Sequence, residues 1–185
     1  FTNEGGIQGK IRFLQNITGL WILQRLMAEW KERGEETSYD RVIAEATLSD
    51  IRSVIDVDDS SFCNPDCMEE SIAEYCHKHH LRVPVSQGEC VRCVIESLAH
   101  RYKLGVEQMN RCLPVPVKQL HIIGGGCQNR LLNQLTANAL GIPVYAGPVE
   151  ATAIGNILVQ AKAQGEIDTW EELKEIIINS VKPQV

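Results

Sequence analysis

Apolar residues recur at helical spacing along most of this chain, and at strand-like spacing in three short stretches. From about Leu14 to Lys31, the positions Leu14, Ile17, Leu20, Trp21, Leu23, Met27 and Trp30 form a wide apolar stripe. The stripe predicts an amphipathic helix, stopped by Gly34. Thr37-Ser-Tyr-Asp40 supplies capping residues for a second, weaker helix through about Leu48. Residues 54 to 59 alternate apolar and acidic positions, as a short strand would. After a turn at Asn64-Pro65 the pattern predicts a helix near Glu69 to His80. Ser86 then caps a long helix reaching about Arg101, with Val91, Val94, Ile95, Leu98 and Ala99 on its inward side.

From Lys118 onward the order becomes strand, glycine turn, helix, strand, helix, helix. Leu120, Ile122 and Ile123 suit a buried strand, and Leu131, Leu132, Leu135 and Ala139 repeat at helical spacing between about Asn129 and Leu140. Pro143 to Gly147 reads as a second strand, followed by helices from about Ala151 to Gln164 and from about Thr169 to Ile178. Strands alternating with helices of this length predict an α/β layer with a parallel or mixed sheet. With 185 residues, 44% of them hydrophobic, one domain with one good core is expected.

Charge and cysteine usage narrow the function classes. A net charge of -6 without clustered Lys and Arg argues against a nucleic-acid partner. No apolar run approaches the length needed to cross a bilayer, so no membrane partner and a cytoplasmic location are expected. Seven cysteines, an odd number, fit a reduced compartment better than a disulfide scaffold.

The sharpest chemical signal is Leu120-His-Ile-Ile-Gly-Gly-Gly-Cys-Gln-Asn129, an apolar run that empties into three glycines ahead of a helical pattern. Gly124, Gly125 and Gly126 lack Cβ atoms, so their backbone can turn at positive φ and approach a bulky ligand. At a helix N-terminus, free N–H groups and the positive dipole end favour phosphate. The alternative is a plain strand-to-helix turn. Asn16 and Gln24, eight residues apart in the first apolar stripe, would share one helix face at different heights. Their amides suit hydroxyl-rich or nucleotide ligands; equally, Asn16 could open the helix and Gln24 could be solvated.

Two further groupings are weaker. Cys63-x3-Cys67 and Cys90-x2-Cys93, with His77, His79 and His80 near, invite a zinc reading, but Cys93 belongs to the apolar side of a helix, where free cysteine acts as a small hydrophobe. A pairing of Cys76 with Cys93 would join neighbouring helices. Asp56, Asp58 and Asp59 could hold Mg²⁺ or act as a base, or simply end a strand and start a loop.

Five stretches together carry a family resemblance: Asn3-Glu-Gly-Gly6, Arg12-Phe-Leu-Gln-Asn-Ile-Thr-Gly-Leu-Trp-Ile-Leu-Gln24, Gly124-Gly-Gly-Cys-Gln-Asn129, Asn133-Gln134 and Gly147-Pro-Val-Glu-Ala-Thr-Ala-Ile-Gly-Asn156. They resemble the C-terminal half of FGGY-family carbohydrate kinases, and the Asn16-to-Gln24 stretch resembles the branch acting on rhamnulose. The resemblance implies a ribonuclease-H-like, actin-like ATPase fold, a mixed sheet flanked by helices, with residues 1–185 as the second, nucleotide-binding domain of a two-domain kinase. It implies ATP and Mg²⁺ as cofactors, a ketose sugar as co-substrate, and the chain's own missing N-terminal domain as partner. By residue, it implies that Gln24, Gly124, Gly125, Gly126 and Asn129 bind nucleotide and that Asn16 binds sugar. The implied reaction is transfer of the ATP γ-phosphoryl group to O1 of L-rhamnulose; the alternatives are another FGGY kinase, acting on xylulose, fuculose, gluconate or glycerol, or a non-catalytic actin-like nucleotide-binding domain. The catalytic aspartate and the Asp-Gly-Thr phosphate loop are expected upstream of Phe1, so the 185 residues alone are expected to be inactive.

Overall fold

The structure is a computed structural model that describes residues 1–181. The described residues divide into two compact units, 1–115 and 116–181, each with its own architecture.

The first unit opens with a hairpin. Strand β1 (Thr2–Gly5) pairs antiparallel with β2 (Ile11–Leu14), in a register that sets Thr2 opposite Leu14 and Gly5 opposite Ile11. Gln8 (φ 59°) and Gly9 (φ 66°) form the left-handed corner between the strands, the backbone twist that tight hairpins favour. The predicted helix from Leu14 is therefore corrected at its start: Leu14 belongs to β2, residues 15–20 are irregular, and α1 spans Trp21–Glu32. Its end is as predicted, with Gly34 at φ 75° and the Glu35 N–H donating to Trp30 O at 3.0 Å.

Helix α2 (Tyr39–Leu48) is capped by Ser38, whose hydroxyl accepts from the Arg41 N–H at 3.2 Å. Helix α3 covers Met68–Lys78, and α4 runs from Gln87 past the predicted Arg101 to Asn110, with Ser86 capping the Glu89 N–H. The core is built where their apolar faces meet: Ile22, Leu26 and Trp30 of α1, Val42 and Ala46 of α2, Ile72 of α3, and Val91, Val94, Ile95 and Leu98 of α4 are all fully buried. Gly88 permits the closest approach, since a Cβ there would stand 2.6 Å from Glu45 Cβ on α2.

The strand expected at 54–59 is not a strand. Alternation is real, with Ile51, Ser53, Ile55 and Val57 buried between exposed or half-buried neighbours. The segment has no strand beside it, however, and its N–H groups bond to side chains instead: Ile55 N–H to Ser97 Oγ at 2.9 Å and Asp56 N–H to the Tyr75 hydroxyl at 3.1 Å.

The second unit is a small parallel α/β arrangement. Strands β3 (Leu120–Ile122) and β4 (Val144–Ala146) pair in parallel across α5 (Arg130–Leu140), which ends at Gly141 in the left-handed conformation. Helices α6 (Ala151–Ala163) and α7 (Trp170–Ser180) pack together after β4. With two strands in this sheet among the described residues, Leu120 and Ile122 are half-buried and Ile123 is 55% exposed, which corrects the buried strand expected. The architecture of the described residues is thus mixed α/β, rich in helix and with small sheets. No helix among them is long and apolar enough to cross a membrane.

Candidate functional site

The triple-glycine bend hangs between the ends of β3 and β4. Gly124 takes φ 76° and ψ −171°, which an L side chain rarely adopts, and Gly125–Gln128 form a single 3-10 turn. Two bonds fix the bend to the exit of β4: the Gly124 N–H donates to Pro148 O at 3.1 Å, and the Gly147 N–H to Ile122 O at 2.8 Å. Asn133 secures it from α5, its Nδ2 donating to Cys127 O at 2.8 Å.

Gly125 and Gly126 have ordinary negative-φ backbones, and a Cβ on either would meet nothing within 4 Å. Neither conformation nor internal packing calls for glycine there. What the missing side chains leave is room on the outer side of the bend. Beside it lies a cavity of about 400 Å³ bounded by Cys127, Gln128, Arg130, Gly147 and Pro148. A second, of about 460 Å³, is lined by Arg130, Asn133 and Gln134. Arg130 borders both, and its guanidinium suits a phosphate or carboxylate. No sequence pattern singles it out, because only the fold shows that the first residue of α5 stands at both rims.

The bend is not itself the helix start. The 3-10 turn intervenes, and the N–H groups expected to be free are partly used: Asn129 Oδ1 accepts from the Leu132 N–H at 2.9 Å and caps α5. Asn129 is 2% exposed, and its Nδ2 has no hydrogen-bond partner. Gly124, Gly125, Gly126 and Asn129 therefore stand together on one turn of the second unit.

Asn16 and Gln24 belong to the first unit, and the helix face they were expected to share does not exist. Asn16 is exposed on the irregular segment before α1; Gln24 is exposed on the first turn of α1. The apolar spacing that extended the helix to Leu14 has another cause. Leu14 belongs to the hairpin, and Ile17 Cδ1 is seated where a Cβ on Gly105 of α4 would stand 2.9 Å away.

Among the described residues no three His, Cys, Asp or Glu side chains are placed to hold an ion. Asp58 bonds Thr18 and Arg101, and Asp59 Oδ1 accepts from the Ser61 N–H at 2.9 Å and its hydroxyl at 2.7 Å, which lowers the Asp59 pKa. Cys76 and Cys93 lie against each other across α3 and α4 as free thiols. Their hydrogen bond, with burial, pushes the Cys93 pKa up.

The glycine bend at the ends of two parallel strands is open on its outer face. The family model for the C-terminal domain of the FGGY carbohydrate kinases matches residues 1–164. The chain belongs to this family. Similar FGGY relatives include the rhamnulokinase of Bacteroides thetaiotaomicron, 48% identical over 182 residues, which covers 98% of the chain and 37% of that protein. The rhamnulokinase of Pectobacterium carotovorum is 44% identical over 90% of the chain and 33% of its own length. That of Bacillus subtilis is 36% identical over 97% of the chain and 37% of its own. The chain thus spans about a third of the length of the curated relatives it matches.

Proposed function

We propose that this FGGY chain is the C-terminal, nucleotide-binding part of a kinase that transfers the γ-phosphoryl group of ATP to O1 of L-rhamnulose. The observation that carries the nucleotide reading is the outer face of Gly125 and Gly126, where no residue beyond the chain neighbours lies within 4 Å of a hypothetical Cβ. The sugar reading is supported by rhamnulokinases 36–48% identical over nearly the whole chain. The actin-like, ribonuclease-H-like fold is part of the same proposal: the mixed α/β character supports it, and residues 1–185 are read as its second domain.

Phosphoryl transfer depends on positioning and on stabilising charge rather than on covalent help from the protein. This chain's share is positioning. The bend would hold nucleotide along Gly124–Gly126, with Asn129 fixing the turn against α5 and Arg130 supplying positive charge at the rim. Gln24 is assigned to the nucleotide and Asn16 to the sugar. ATP supplies the group transferred. Mg²⁺, which accompanies ATP in phosphoryl transfer, finds no cluster of ligands among the described residues.

The test is a ketose panel with the full-length kinase. Formation of a 1-phosphate from L-rhamnulose and ATP with kcat/KM at least about tenfold above that for xylulose or fuculose is expected. Preference for another sugar would overturn the substrate assignment, and failure to use ATP would overturn the function.

A further inference from the structure

The segment that carries Asn16 has no ladder of its own, yet it is held to α4 at three points. Gln15 Nε2 donates to Gln108 Oε1 at 3.3 Å. Ile17 occupies the socket left by Gly105, where an added Cβ would stand 2.9 Å from Ile17 Cδ1. At the third point Asp58 forms a two-sided bridge. Its Oδ1 accepts from the Thr18 hydroxyl at 2.7 Å and the Thr18 N–H at 3.4 Å, while Oδ2 accepts from Arg101 Nε at 2.5 Å.

We propose that Asp58 is a positioning residue for sugar binding, tying the Asn16 segment to α4 through Thr18 and Arg101. The proposal rests on the reading of Asn16 as a sugar ligand. The chemistry requires a carboxylate, because both of its oxygens accept. An asparagine could still take the Thr18 bond, but its amide N–H₂ would then face the Arg101 guanidinium, donor against donor. The bridge is partly exposed, the Arg101 side chain 15% and the Asp58 side chain 36%, and Asp58 lines two cavities of about 480 and 430 Å³. Its strength comes from charge, since bonds to a carboxylate are stronger than those between neutral groups. Thr18 is two residues from Asn16, so slack at Thr18 is passed to the ligand-bearing amide, and small misplacements of a binding group are costly.

The experiment uses the full-length kinase with D58N, T18V, T18S and N16A, reading hydrogen exchange in a peptide spanning residues 15–20 and steady-state KM for each substrate. T18V removes only the hydroxyl and leaves the Asp58–Arg101 pair in place, so it separates the tether from general unfolding. D58N and T18V are expected to speed exchange in the segment and to raise KM for L-rhamnulose about tenfold, with KM for ATP within about twofold of wild type. T18S restores both. Unchanged exchange in D58N overturns the tether. Faster exchange with unchanged sugar KM, in a protein where N16A does raise that KM, overturns the link to binding while sparing the sugar reading. An N16A variant with unchanged sugar KM overturns the sugar reading itself, and the positioning role with it.

Discussion

Glu29 of α1 caps α3. Both of its carboxylate oxygens accept from the Met68 N–H at 3.0 Å, while Arg25 pairs with it one turn back on α1 at 2.9 Å. Cys67, the residue that should cap α3 locally, makes no side-chain cap bond. The carboxylate is 7% exposed, so its removal would leave a buried N–H without a partner. Glu29→Ala is expected to lower stability by about 2–3 kcal/mol, and Glu29→Gln by less, since one acceptor remains. Urea unfolding checks it: the midpoint should fall with the slope unchanged, and a loss under about 0.5 kcal/mol would show that α3 needs no cap from α1.

Gly88→Ala sets two effects against each other. Gly88 is the second residue of α4, where alanine gains less than the about 1 kcal/mol it holds over glycine in a helix interior. Here the new Cβ would lie 2.6 Å from Glu45 Cβ and 3.1 Å from the Glu45 carbonyl carbon, and backbone yields less readily than a side-chain tip. Forcing α2 and α4 apart costs about 1–3 kcal/mol. Net destabilisation of about 1–2 kcal/mol is expected in thermal unfolding, and a stabilised variant would show that the two helices are free to separate.

Asp58 also gives stability a pH signature. Burial pushes its pKa up, but the hydrogen bonds from Arg101 and Thr18 outweigh burial and hold it below the ordinary value of 3.8. A carboxyl held low in the folded state contributes stability that is complete above its unfolded pKa and is lost as pH falls through its folded one. The stability difference between wild type and D58N should therefore be constant near neutrality, shrink once the pH drops below about 4, and vanish in stronger acid. A difference that persists there would mean that the bridge is not ionic.

The thiols divide by burial. Cys63 and Cys112 are exposed, whereas Cys76, Cys90, Cys93 and Cys127 are buried. Burial pushes the Cys90 thiol up to about 12, so its thiolate is scarce at any working pH. Titration of native protein with an aromatic disulfide reagent should modify Cys63 and Cys112 quickly and spare the four buried thiols until denaturant is added. Fast labelling of Cys90 or Cys93 would contradict the packing of α4.

Where a pattern is local, the chain announced it. Gly34, Ser38 and Ser86 mark helix ends because capping and left-handed turns are decided by neighbouring residues. Residues 120–146 were readable as strand, turn, helix and strand for the same reason, and the glycine bend with them. Long-range bonds left no such mark. The Ile55 N–H finds Ser97, and Met68 finds Glu29, across tens of residues, so an extended segment passed for a strand and a remote cap went unseen. The shift of Asn16 off the helix has the same origin: Ile17 and Leu14 keep helical spacing with α1, yet one is fixed by Gly105 and the other by β1. Arg130 was missed because its place at the rim depends on the turn before it.

The central claim is that nucleotide lies against the open face of the glycine bend, and Gly125→Val in the full-length kinase tests it most directly. A Cβ at Gly125 would meet no residue beyond its chain neighbours within 4 Å, so the fold should accept a side chain there. KM for ATP is predicted to rise at least about tenfold with KM for L-rhamnulose within about twofold and the unfolding midpoint unchanged. A folded variant with wild-type KM for ATP would contradict the account.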